Sequence, residues 1–117
     1  MTIKEFYAQI GEDDQDVVKR LGSEALIRRL ILKFPQDETF AALQEALEKQ
    51  NTETAFRAAH TLKGVAVNLG FTRLYHAAAA LTEALRAAKL AEAAPLLAET
   101  ETAYRKIINA ISALTSD

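Results

Sequence analysis

From about residue 37 to residue 114 the apolar side chains recur every three to four positions in four successive stretches of about fourteen residues or more, separated by breaks of about two to four residues. That is the spacing of one helical face. Links so short leave the chain no room to cross a bundle, so each helix must run back along the one before it. The expected fold class is therefore all-α, an antiparallel up-down four-helix bundle. Composition agrees: the 117 residues include 23 Ala and 15 Leu but only 11 Val and Ile together, a bias toward side chains that lose little freedom in a helix. No strand pattern, repeat or low-complexity stretch competes, and residues 1–117 read as one domain.

The breaks carry recognisable caps. Thr2-Ile3-Lys4-Glu5 is a capping-box pattern for a short first helix ending near Gly11. A second short helix is expected at residues 14–21, before Gly22. Ser23 then caps a helix bearing Leu26, Ile27, Leu30, Ile31 and Phe34, which Pro35 stops. These short N-terminal helices would cap one end of the bundle. Asp37 is the expected N-cap of the first bundle helix, which carries Phe40, Leu43 and Leu47 and runs to about Gln50. Asn51 or Thr52 caps the second, which reaches Leu69, with Gly70 suited to the left-handed residue that ends a helix. Thr72 is expected to cap the third, with Leu74, Ala77, Ala78, Leu81 and Leu85 on its inner face. The fourth is expected from Ala91 or Glu92 to about Leu114, with Pro95 in its first turn, where a missing N–H does no harm.

Size and content exclude several classes of function. A nucleotide-dependent kinase does not fit in this length, and there is neither a glycine-rich phosphate cradle nor a dinucleotide fingerprint. Without cysteine the chain has no disulfide, thiolate zinc site or cysteine nucleophile. The N-terminus lacks an apolar signal region, and the longest uninterrupted apolar run, residues 77–81, is far too short to span a membrane. A cytoplasmic protein with no membrane association is the expectation. Sixteen acidic against 14 basic residues leave no basic stripe for nucleic acid.

Residues 52–69 depart from the pattern of the other helices. On a wheel of about 100° per residue, Ala55, Ala59, Leu62, Ala66 and Leu69 mark the core side, while His60 falls about 140° and Gly64 about 180° from it. Lys63, Phe56 and Val67 lie between, at about 80° to 120°, and Arg57 at about 200°. An outward imidazole thus sits in a patch that is partly apolar and partly cationic. In a chain so rich in alanine, a glycine in mid-helix forgoes about 1 kcal/mol; at Gly64, one turn from His60, the missing side chain would let another backbone approach the ring. The alternative is close packing against a neighbouring helix. Between Glu53 and Glu83 there is no acidic residue, whereas Arg57, Lys63 and Arg73 are basic, so the patch should attract an acidic partner surface. His76, beside Tyr75 and a run of alanines, has no such surroundings and reads as structural or incidental. No carboxylate falls between the two histidines to complete a metal site.

In order, Ala59-His60-Thr61-Leu62-Lys63-Gly64, then Asn68-Leu69-Gly70 and Leu74, the chain resembles the histidine-containing phosphotransfer (HPt) domain family across most of its length. The resemblance implies that His60 accepts and donates a phosphoryl group, that Lys63 stabilises the phosphate, and that Gly64 leaves space for a docking receiver domain; Phe56, Arg57, Val67 and Asn68 are the candidate partner-binding residues. Two positions depart from the family pattern: Val67 stands where many members have a small residue, and Thr82 where some have Gln or Glu near the imidazole. A mostly neutral imidazole at pH 7 offers a lone pair to phosphorus, and a lysine at i+3 can stabilise the product by about 1 kcal/mol after screening. The chain itself is expected to bind no cofactor and no metal. In-line transfer needs a metal and a held acceptor, which the partner must bring: a response-regulator receiver domain with Mg²⁺ beside its Asp, or a histidine kinase. The expected function is a phosphorelay intermediate without kinase activity of its own. The alternatives are a helical adaptor that is never phosphorylated and the phosphotransfer domain of a chemotaxis-type kinase. Thr61, where an acidic residue is usual, sets the chain apart from the dimerisation hairpin of histidine kinases.

Overall fold

The computed structural model describes residues 1–115. They form seven α-helices and one 3-10 turn: α1 Ile3–Gln9, α2 Gln15–Leu21, α3 Glu24–Lys33, the turn Phe34–Gln36, α4 Thr39–Glu48, α5 Thr52–Asn68, α6 Thr72–Arg86 and α7 Leu90–Thr115. The protein is all-helical. Helices α4 to α7 pack in sequence as antiparallel neighbours, α5 against both α4 and α6, and α6 against α7. The buried core runs from Ile3 to Leu114, with Leu43, Ala59, Leu62, Ala66, Leu74, Ala78, Leu81 and Ile111 along the bundle axis. Alanine on the facing sides of α5 and α6 lets these two helices approach closely.

Three turns of the bundle close in the same way. The amides of Gln50 and Asn51 bond back to Leu47 and Ala46, those of Gly70 and Phe71 to Val67 and Ala66, and those of Ala88 and Lys89 to Leu85 and Ala84. This paired closure, with a left-handed residue just past the helix, satisfies carbonyls that would otherwise lack donors. Gly70 takes that conformation without strain, at φ 73°; Gln50 and Ala88 adopt it at φ 56° and 57° despite their side chains.

The start of several helices differs from the sequence expectation. The capping box at Thr2 and Glu5 forms, Ser23 accepts from the Leu26 amide, and Asn51 caps α5 through the Thr54 amide. Asp37, however, lies one residue before the cap of α4: its carboxylate accepts from the Thr39 amide across a turn, and α4 is only ten residues long. The 3-10 turn takes Phe34, which periodicity assigned to α3, and α4 ends at Glu48, two residues before the expected Gln50. Thr72 does not cap α6, because it is the first helical residue and Phe71 occupies the cap position. The Arg73 amide is satisfied instead by Glu12, from the α1–α2 connection, at 2.9 Å. Helix α7 starts at Leu90, so Pro95 lies in its second turn rather than its first. Pro95 is exposed, which leaves the carbonyl it cannot bond within reach of water.

The N-terminal helices close the end of the bundle formed by the α5–α6 turn. Phe6, Tyr7, Phe34 and Phe71 form a ring cluster there, with the pairs Phe6–Tyr7 and Phe34–Phe71 edge to face at 5.2 and 5.3 Å. The buried Tyr7 hydroxyl donates to the Leu69 carbonyl at 2.6 Å. At the opposite end, α4 and α7 leave between them an open cleft of about 330 Å³ lined by Leu47, Leu90, Ala93 and Leu97.

Candidate functional site

Helix α5 turns its alanine-rich face inward, burying Ala55, Ala58, Ala59, Leu62 and Ala66. The outward face is fixed by that choice: His60 and Gly64 are both exposed and one turn apart, as the wheel predicts. Neither nitrogen of the His60 ring is hydrogen-bonded among the described residues. A β-carbon added at Gly64 would meet nothing within 4 Å, so no neighbouring helix requires the glycine. The close-packing explanation for this residue is thereby excluded.

Phe56, one turn before His60, is half-buried against the core cluster. Its ring lies nearly parallel to the imidazole, 15° between planes with centroids 6.1 Å apart. The Arg86 guanidinium of α6 is 5.0 Å from the centre of the Phe56 ring and is tied to Glu83 at 3.3 Å. Lys63 is half-buried and forms no ion pair among the described residues. Val67, two turns beyond His60, is 50% exposed and, with Leu90, one of two large apolar side chains exposed to this degree among the described residues. Asn68 is exposed beside it.

The cationic patch is narrower than the sequence suggested. Arg57 is paired with Glu53, one turn back on α5. Arg73 lies at the far end of the bundle, its guanidinium 3.3 to 3.7 Å from the position of a β-carbon on Gly11, and does not join the site. The sequence window correctly found a stretch without acids, but helical register sends Arg73 away from His60. Arg86, just outside that window, takes a place in the site instead. Antiparallel pairing could have located it, because residues 56 and 86 lie about equally far from the α5–α6 turn.

Arg20 of α2 is a second cation that sequence reasoning missed. It donates to the Val67 and Asn68 carbonyls at 3.2 and 3.1 Å while pairing with Asp16 at 2.8 Å. A cation at a helix C-terminus is favourable because it satisfies the last carbonyls and opposes the helix dipole. The contact joins residues 47 and 48 apart in sequence, and no local pattern announces it. Thr82 is fully buried and donates its hydroxyl to the Ala78 carbonyl at 2.7 Å, so it offers the imidazole nothing. His76 is exposed, with its ring edge to face with Tyr75 at 5.2 Å.

Among the described residues, no three His, Asp or Glu side chains converge on a point that could hold a metal ion. No helix among them is long and apolar enough to cross a membrane. What the face presents is an exposed imidazole with neither nitrogen hydrogen-bonded among the described residues, a lysine one turn away, and apolar side chains at Phe56 and Val67. The family model for the Hpt domain matches residues 36–115, which takes in α4 to α7. No curated protein matches the chain, and no solved structure does.

Proposed function

Because the chain belongs to the Hpt, or histidine-containing phosphotransfer, family, we propose that it is a phosphorelay carrier whose acceptor is His60. The observation that carries the reading is an exposed imidazole with neither nitrogen hydrogen-bonded among the described residues, one turn from a glycine whose missing side chain leaves open space. A neutral ring uses its lone pair to form an N–P bond as the P–O bond to a receiver's aspartate breaks. The carboxylate leaves with the bonding electrons, and the proton on the other ring nitrogen stays in place. Run in reverse, the same step returns the phosphoryl group to a carboxylate.

Lys63 neutralises part of the charge that the phosphoryl group brings to the ring, a contribution of about 1 kcal/mol at an exposed site. Gly64 keeps the approach clear for the partner's backbone, and Phe56, Arg57, Val67 and Asn68 form the rim that meets it. The partner is a receiver domain or a kinase that supplies Mg²⁺ and holds the second reactant in line, so this chain has no kinase activity alone. The setting is cytoplasmic. Residues 1–117 act as one carrier domain.

Incubation with phosphorylated receiver domains tests the reading. The expected product is an acid-labile, base-stable phosphate on the chain, absent from a His60→Gln variant that still binds the receiver. Binding of the receiver with no uptake of label would instead establish an unphosphorylated adaptor.

A further inference from the structure

His60 has to present a ring nitrogen in line with phosphorus, yet no group among the described residues hydrogen-bonds to the ring to hold its plane. Thr82 is sealed in the core on the Ala78 carbonyl and gives the ring no hydrogen bond. A histidine on an open helix face would otherwise move among its rotamers, and in-line attack depends on the orientation of the attacking orbital.

Phe56 supplies what a hydrogen bond does not. Its ring is nearly parallel to the imidazole and within the offset-stacking range, at 6.1 Å and 15°. Phe56 is itself restrained: its inner edge packs on the core cluster, and the Arg86 guanidinium is 5.0 Å from its ring centre. Arg86 in turn is tethered to Glu83 on the same helix. An offset parallel neighbour engages neither ring nitrogen in a hydrogen bond, whereas a hydrogen-bonded carboxylate would occupy one of them and favour the cationic ring.

We infer that Phe56, braced by Arg86 across the α5–α6 interface, is a positioning residue that sets the plane of the His60 imidazole for phosphoryl transfer. The inference rests on the carrier reading above and deepens it, since that reading gives Phe56 only a place on the docking rim. The two roles separate by donor size. A rim contact matters only when a protein partner docks, whereas ring orientation matters for any donor, including phosphoramidate, whose N–P bond breaks to release ammonia as the imidazole N–P bond forms.

The test compares the wild-type chain with Phe56→Leu, Phe56→Tyr and Arg86→Gln, each reacted with phosphoramidate and with a phosphorylated receiver domain. Leu keeps the apolar volume and helix propensity but removes the aromatic face, and Tyr restores that face. The expected result is a slowing of about three- to tenfold in Phe56→Leu with both donors alike, near-complete recovery in Phe56→Tyr, and a smaller slowing in Arg86→Gln. The His60 ring-proton resonances should shift in Phe56→Leu as the neighbouring ring current is lost, with the thermal midpoint little changed. Slowing with the receiver alone would make Phe56 a docking residue and overturn the inference, as would wild-type rates with both donors. A wild-type chain that takes no phosphate from either donor would overturn the carrier reading itself, an outcome distinct from any difference among the variants.

Discussion

Gly64 is the residue at which the requirements of the fold and of the proposed function part most clearly. An added β-carbon there meets nothing, so the helix would be better served by alanine. Gly64→Ala is expected to raise stability by about 0.5–1 kcal/mol, seen as a higher denaturation midpoint, while slowing transfer from a phosphorylated receiver. Gly64→Leu should remain folded and block that transfer; undiminished transfer in the leucine variant would show that no partner backbone uses the space. Lys63 is half-buried with no ion-pair partner among the described residues, so Lys63→Ala removes a charge without stranding another. Its effect should be modest, on the order of fivefold in transfer rate or phosphate lifetime, and complete loss of labelling would assign the lysine a larger part. The positions of His60 and Gly64 were legible from helical periodicity alone. Arg57 and Arg73 could not be placed so easily, because the pairing of one with Glu53 and the turning of the other toward Gly11 depend on side-chain reach and on register between helices.

Among the helices, the turns carry the most information. Glycine marks the ends of α1, α2 and α5, where Gly11, Gly22 and Gly70 have φ of 73° to 75°, and these ends could be read from residue type. Gln50 and Ala88 adopt the same left-handed conformation without glycine, so the shared geometry of the bundle turns was hidden. Ala88 is exposed and strained by its β-carbon. Ala88→Gly is therefore expected to stabilise the chain by about 0.5–1 kcal/mol in urea unfolding, although glycine replaces the best helix former; a net loss would mean the α6–α7 turn is not strained. The start of α6 departs from the periodic pattern for a related reason. A threonine at the right spacing resembles a cap, but the donor at Arg73 is met by Glu12, which comes from a different part of the chain.

Across the whole molecule, α1 and α2 do more than shield one end of the core. Tyr7 and Arg20 satisfy the last carbonyls of α5, at Leu69 and at Val67 and Asn68, and so brace the helix that carries His60. Tyr7→Phe keeps the ring cluster but leaves the Leu69 carbonyl without that donor, an expected loss of about 1–2 kcal/mol. Burial also raises the Tyr7 hydroxyl well above the ordinary phenol range, so the folded chain retains a proton that the unfolded chain releases. Stability from this group is complete below about pH 10 and declines as pH rises beyond it. Half-burial shifts Tyr104 in the same direction, so unfolding midpoints measured from pH 7 to pH 11 should fall less steeply in Tyr7→Phe than in the wild type without becoming flat. Equal slopes would remove Tyr7 from the account of alkaline stability.

Fold class, helix order and the outward angle of His60 followed from the amino-acid order, because helical periodicity and short links are local properties that one wheel and one turn length suffice to interpret. Tertiary structure decided what lies beside the imidazole, with Arg86 over Phe56 and Thr82 withdrawn into the core, and what holds the far ends of α5 and α6, with Tyr7 and Arg20 on the end of α5 and Glu12 on the start of α6. Each depends on which faces of separate helices meet and how far a side chain extends between them, and a periodic pattern within one helix carries no record of either.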